Sequence, residues 1–98
     1  RTSGQDARVV DPAQLAVLEE AEAIALEWVT DRRMEHVLAH FSAAGQMPGM
    51  RDTGTVLTMM LEDVYREAGA EVVRSKASDR AISTRARELF HARLKGAR

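Results

Sequence analysis

The segment that opens at Asp11-Pro12 carries more apolar surface than one face of a helix can hide, and every fold available to the chain must deal with it. An aspartate side chain caps free N–H groups, and proline at the first helical position sacrifices no donor, so a helix begins here. At about 100° per residue, Leu15, Val17, Leu18, Ala21, Ile24, Ala25, Leu26, Trp28 and Val29 spread over an arc of about 200°. One core-facing stripe needs only about 100°. In a chain of 98 residues such a helix is either the centre of its bundle or half of an interface. The expectation is a helix over about 12–29 that meets a second copy of the chain, giving a homodimer, or a helical protein partner.

The remainder also reads as helix. At Thr30-Asp31-Arg32-Arg33 the apolar stripe changes phase, because Met34, Val37, Leu38 and Phe41 project to the side held earlier by Ala16, Ala23 and Glu27. A break there, capped by Thr30 or Asp31, starts a second helix over about 31–43. Gly45, Pro48, Gly49 and Gly54 mark a loop. Asp52 or Thr53 caps a third helix over about 53–68, with Leu57, Met60, Leu61, Val64 and Ala68 as its stripe and Gly69 as its terminator. Ser78 or Asp79 caps a last helix over about 79–95, with Ile82, Ala86, Leu89, Phe90 and Leu94 inward. No stretch alternates as a half-buried strand does. Residues 1–10 read as a flexible N-terminal lead-in, and residues 11–98 as a single helical domain. The predicted fold is all-α, a compact bundle of about four helices with no β-sheet.

Composition narrows the function classes. There is no cysteine, which removes disulfide frameworks, thiolate metal sites and a cysteine nucleophile. No apolar run approaches the roughly 20 residues of a bilayer span, so no membrane association is expected and the reading is cytoplasmic. The chain begins with Arg1 rather than methionine, as an excised domain or a processed product would.

The net charge of −1 conceals a dipole. Residues 1–30 hold two cations and six anions, whereas residues 74–98 hold eight cations against Asp79 and Glu88. On the last helix Arg80, Thr84, Arg87, His91 and Lys95 fall within an arc of about 80°, a cationic ridge suited to phosphates or an acidic partner. Nucleic acid is therefore a possible partner, with Arg80, Arg87, His91 and Lys95 as contacts. The blander reading is a basic C-terminal turn that complements the helix dipole.

Other constellations are weaker. His36 and His40 stand four apart on one helix, a spacing that can aim two imidazoles at one metal ion or haem, but Arg33 beside them opposes a divalent cation. The alternative is two histidines flanking an apolar stripe. Of the paired carboxylates Glu19-Glu20-Glu22 and Glu62-Asp63, all but Glu22 fall on faces their helices expose; Glu22 lies within the wide arc of the first helix and calls for water or an arginine partner. Neither a phosphate-binding glycine loop nor a nucleophile elbow occurs, so no catalytic residue and no cofactor is assigned, and an enzyme is the less favoured reading. A helix-turn-helix over 61–78 fails at Tyr65, which replaces the small residue needed where two helices touch. Met47 and Met50 bracket Pro48-Gly49, where flexible thioethers suit a partner surface. The expected partner interface thus comprises Leu15, Val17, Ile24, Trp28, Met47 and Met50.

Residues 27–42, EWVTDRRMEHVLAHFS, resemble the opening helices of nuclear-transport-factor-like domains. That resemblance implies a curved sheet downstream, where residues 55–95 carry helical periodicity instead, so neither the pocket nor the activity of that family is carried over.

The reading as a whole is a small interaction or regulatory domain, assembled through its first helix and offering a basic last helix.

Overall fold

The structure, a computed structural model, describes residues 11–96; the expected lead-in over 1–10 lies outside them. Four α-helices make up the fold: α1 (Pro12–Leu26), α2 (Asp31–Ser42), α3 (Thr53–Ala68) and α4 (Lys76–Gly96). Short 3-10 turns, Met50–Asp52 and Gly69–Glu71, lead into α3 and follow it. No strand forms among the described residues.

Each boundary has a local cause. The Asp11 carboxylate accepts from Ala13 N at 3.0 Å, with Pro12 in the first turn. α1 stops at Leu26, short of the expected Val29, because Trp28 N and Val29 N reach back only three residues, each 3.0 Å from a carbonyl. That tightened turn drives Val29 into the core. Thr30, extended, accepts from Arg33 N at 3.1 Å and starts α2, the break expected from the change of phase. Gly69 terminates α3 at φ +59°, a left-handed conformation that a side chain would disfavour.

α4 begins earlier than its expected cap. Ser75 supplies the cap instead, its Oγ accepting from Ser78 N at 3.0 Å. Ser78 is buried, and its own hydroxyl donates to Val73 O at 3.0 Å, so it is committed to the interior.

The core is organised around α4. Its buried stripe of Ser78, Ile82, Ala86 and Phe90 forms a wall that α1, α2 and α3 all contact. Met34 and Val37 from α2 and Val56, Met60 and Val64 from α3 complete the interior. α1 is a peripheral helix rather than the centre of the bundle. It runs alongside α4 in the same direction: Val17 and Leu18 lie by Val73, Ser75 and Ser78, whereas Glu22 and Leu26 lie by Ala81 and Arg85. Since α4 starts at Lys76, the first turns of α1 extend past the wall, and residues 11–20 are all exposed.

α2 and α3 are joined by a buried ion pair. Asp63, buried on α3, accepts from the guanidinium groups of both Arg33 and Arg66. Arg33 also donates from Nε to Trp28 O at 2.8 Å and lies 5.5 Å from the centroid of the Trp28 ring. One arginine thereby ties the α1–α2 turn to α3. Asp63 corrects the expectation that this carboxylate faces solvent. It stands three residues after Met60 and seven after Val56, which places it on the buried stripe.

Removing the carboxylate leaves Arg33, largely withdrawn from water, without its counter-charge. Asp63→Ala is expected to lower stability by about 3 kcal/mol. Arg66→Ala, at the exposed end, should cost less than about 1 kcal/mol. Urea unfolding of the two variants reads the difference, and equal midpoints would show that solvent screens the whole cluster.

Candidate interaction surface

The overhang of α1 leaves apolar side chains in water. Leu15 is 46% exposed, Val17 63% and Leu18 44%, and Ile24 and Val73 are exposed as well. Only Ala25 on this helix is fully buried. Val17, Leu18, Ala21 and Ile24 form one wall of a shallow groove whose other wall is Val72 and Val73, with Ser75 and Ser78 between them. Residues 12–18 contain no charged group, and Gln14 is their one polar side chain, so the patch runs uncharged along two turns. Contiguous exposed apolar side chains of this kind are uncommon on a small monomeric domain.

Glu71 is the one charged residue that lines this groove, and a polar cluster joins α3 to α4 nearby in sequence. Arg74 stacks 4.5 Å from the centroid of the Tyr65 ring, and the Tyr65 hydroxyl donates to Asp79 Oδ1 at 2.5 Å, tying α3 to the first turn of α4. Burial and the Asp79 carboxylate push the Tyr65 phenol up to about 12. Arg74 and Lys76 form no ion pair among the described residues. Nor do Glu19 and Glu20, which continue α1 beyond the uncharged stretch.

The residues expected to form one partner interface divide into three groups. Leu15, Val17 and Ile24 share the α1 surface. Trp28 is half-buried, packed against the core beneath Arg33. Met47 and Met50 are exposed on the loop before α3, where Ser42 Oγ donates to Met47 Sδ at 3.1 Å. That loop lies at the far end of α4, since Thr53 Oγ1 sits 3.2 Å from His91 Nε2. Ser75 and His91 are separated by roughly 24 Å along a helix rising 1.5 Å per residue, so the methionines do not extend the α1 patch.

The ridge on α4 is partly as expected. Arg80, Arg87 and Lys95 are exposed and unpaired among the described residues. His91 is half-buried and engaged with Thr53. Arg93, outside the ridge, clamps α4 to α2 by donating to Asp31 O at 3.1 Å and reaching Glu35 Oε2 at 3.4 Å. Glu22 lines a groove with Arg80, Arg85 and Glu88, but it forms no ion pair with either arginine among the described residues, so the arginine partner expected for it is not formed.

His36 and His40 face each other with ring centroids 6.1 Å apart, and His36 Nε2 lies 3.8 Å from Asp63 Oδ1. The Arg33 and Arg66 guanidinium groups occupy that carboxylate. Among the described residues no group of three or more histidine, cysteine, aspartate or glutamate side chains is arranged to hold a metal ion. The sequence analysis did not anticipate the pairing of Asp63 with Arg33 or of Tyr65 with Asp79, which depends on contacts between helices.

Compared with protein-family models, curated proteins and solved structures, the chain matches none. Among the described residues no helix is long and apolar enough to cross a membrane.

The Tyr65 contact gives the junction beside the groove an alkaline limit. Its folded pKa is raised above the ordinary value of 10.0 to about 12, so the contribution is complete below pH 10 and is lost as pH rises through 12. Chemical denaturation at stepped pH should show stability falling across this window, and Tyr65→Phe should flatten that part of the profile. An unchanged slope in the variant would assign the fall to other groups.

Proposed function

We propose that the chain is a small helical interaction domain that assembles through α1, with a second copy or another helical protein, and offers the basic face of α4 to an acidic partner. The observation that carries this reading is the uncharged, exposed start of α1, with Leu15, Val17 and Leu18 largely in water at the end of the α4 wall. Burying apolar area gains roughly 25 cal/mol per Å², so these side chains favour association over solvent exposure. Among the described residues the polar cluster around Asp63 is taken up by two arginines.

A photo-cross-linking amino acid at Val17 tests it. We expect α1 to be captured against a protein neighbour, and the doubly substituted Leu15→Glu, Leu18→Glu chain to lose that capture while keeping its helical circular dichroism. Both leucines are largely exposed, so their replacement should alter stability by only about 0.5 kcal/mol. Capture that survives the double substitution would refute assembly through this face.

A second reading follows from Arg80, Arg87 and Lys95, exposed and unpaired on one side of α4. Three such cations along a helix suit phosphate contacts and make the acidic partner a nucleic acid. Binding should then weaken steeply with salt, and charge reversal at any of the three should weaken it about equally for all base sequences. Failure of duplex and single strands to bind at low salt would eliminate nucleic acid and leave an acidic protein.

A further inference from the structure

We infer that the acidic partner of α4 is the phosphate backbone of a nucleic-acid duplex, held without reading of sequence, and that a proton on His91 sets how tightly it is held. The inference rests on the nucleic-acid reading of α4 and adds to it the form of the nucleic acid and the control of binding by pH.

The form follows from what this face of α4 lacks. Arg80, Arg87 and Lys95 are exposed and form no ion pair among the described residues. The exposed large apolar side chains all lie outside α4, so the face has nothing to build the apolar centre of a protein interface. Phe90 is buried and the His91 ring is half-buried against Thr53, so no free ring is offered for stacking on an unpaired base. A duplex asks for neither. It presents a phosphate charge about every 1.7 Å of its axis, and cations about 10 and 12 Å apart along a helix each meet one.

The control follows from the tautomer of His91. Thr53 Oγ1 lies 2.7 Å from Met50 O and 3.2 Å from His91 Nε2. A carbonyl cannot donate, so the single hydroxyl proton of Thr53 points to Met50 O, and Thr53 accepts from His91. The neutral His91 ring therefore carries its proton on Nε2 and has Nδ1 free for a second one. Imidazole is the side chain whose charge changes between about pH 5 and 8. Protonation at Nδ1 keeps the Thr53 contact and adds a charge one turn from Arg87 on one side and from Lys95 on the other. A phosphate across these residues favours the proton, and the proton favours the phosphate to the same extent.

No carboxylate near the ring is left to take up that charge. On α4 the neighbour is Glu88, which pairs with Arg85 at 3.8 Å. Before α3, Arg51 is exposed without an ion pair, and Asp52 Oδ2 accepts from Gly49 N at 2.8 Å. Asp31 and Glu35 of α2 meet α4 at Arg93, two residues on and so on the opposite side of the helix. Glu22 of α1 borders α4 at Arg80, about three turns away.

The test measures binding of the full chain to a mixed-sequence DNA duplex, the RNA duplex of the same sequence and one of its single strands, over a salt series at about pH 8 and about pH 5.5. On B-DNA the logarithm of affinity falls with the logarithm of salt by about 0.9 for each phosphate contact. The wild-type slope on DNA should steepen by about 0.9 between the higher pH and the lower, as one contact is added. His91→Gln, which offers an amide donor to Thr53, should abolish that steepening. Lys95→Gln should instead lower the slope by about 0.9 at both pH values. Nitrogen NMR of the ring gives a readout without ligand: neutral His91 should be protonated on Nε2.

Binding of either duplex above the single strand supports the inference, and the tighter of the two names the source of the phosphates. A preference for the single strand overturns the duplex. A slope indifferent to pH, or a neutral ring protonated on Nδ1, overturns the control by His91 while the cationic reading stands. Failure of all three nucleic acids to bind at low salt removes the nucleic-acid reading itself and leaves an acidic protein.

Discussion

The buried stripe of α4 is the constraint on which the rest of the structure depends. Phe90, Ala86, Ile82 and Ser78 lie one turn apart, and each of the other helices finds its place by covering part of this line. Small residues at Ala86 and Ser78 let neighbours approach closely, while Phe90 and Ile82 fill the volume between them. A wall has two ends, and its ends determine what stays uncovered. Because α4 starts at Lys76, capped by Ser75, α1 loses its support before its own first turns, and the exposed patch follows from that mismatch.

Polar interactions in this protein hold the helices in register around that wall. Asp63 draws Arg33 and Arg66 together between α2 and α3, Tyr65 ties α3 to Asp79, and Arg93 clamps α4 to the start of α2. Apart from the Arg66–Asp63 pair within α3, these contacts join residues on different helices. With their demands met inside the domain, these groups make poor ligand sites, which directs attention to the surfaces whose groups are unsatisfied: the apolar overhang of α1 and the unpaired cations of α4. The two differ physically. Association at the overhang would remove apolar area from water and persist at high salt, whereas contacts through the cationic ridge would depend on a field that salt screens within about 8 Å at physiological strength.

The sequence was most legible where local chemistry decides. Asp11-Pro12, Thr30 and Gly69 act within one turn of chain, and the helix ends they imply are those observed. The change of stripe at Thr30 separated α1 from α2 for the same reason. Legibility failed where two helices must meet. Ser78 has the chemistry of a cap, yet the proximity of Val73 O makes it a buried donor and passes the cap to Ser75. Asp63 reads as a surface carboxylate until Arg33, thirty residues earlier, arrives beside it.

The amino-acid sequence by itself determined the all-helical character of the chain, three of its turns, and the excess of apolar surface on the segment after Pro12, because propensity, capping and periodicity act over neighbouring residues. Only the tertiary structure decided which helix is central and where that excess emerges. The arc of α1 is equally compatible with a buried core helix and with an edge helix. The choice falls to α4, whose greater length and continuous small-and-large stripe let it contact three neighbours at once, leaving α1 at the margin with its first turns in water.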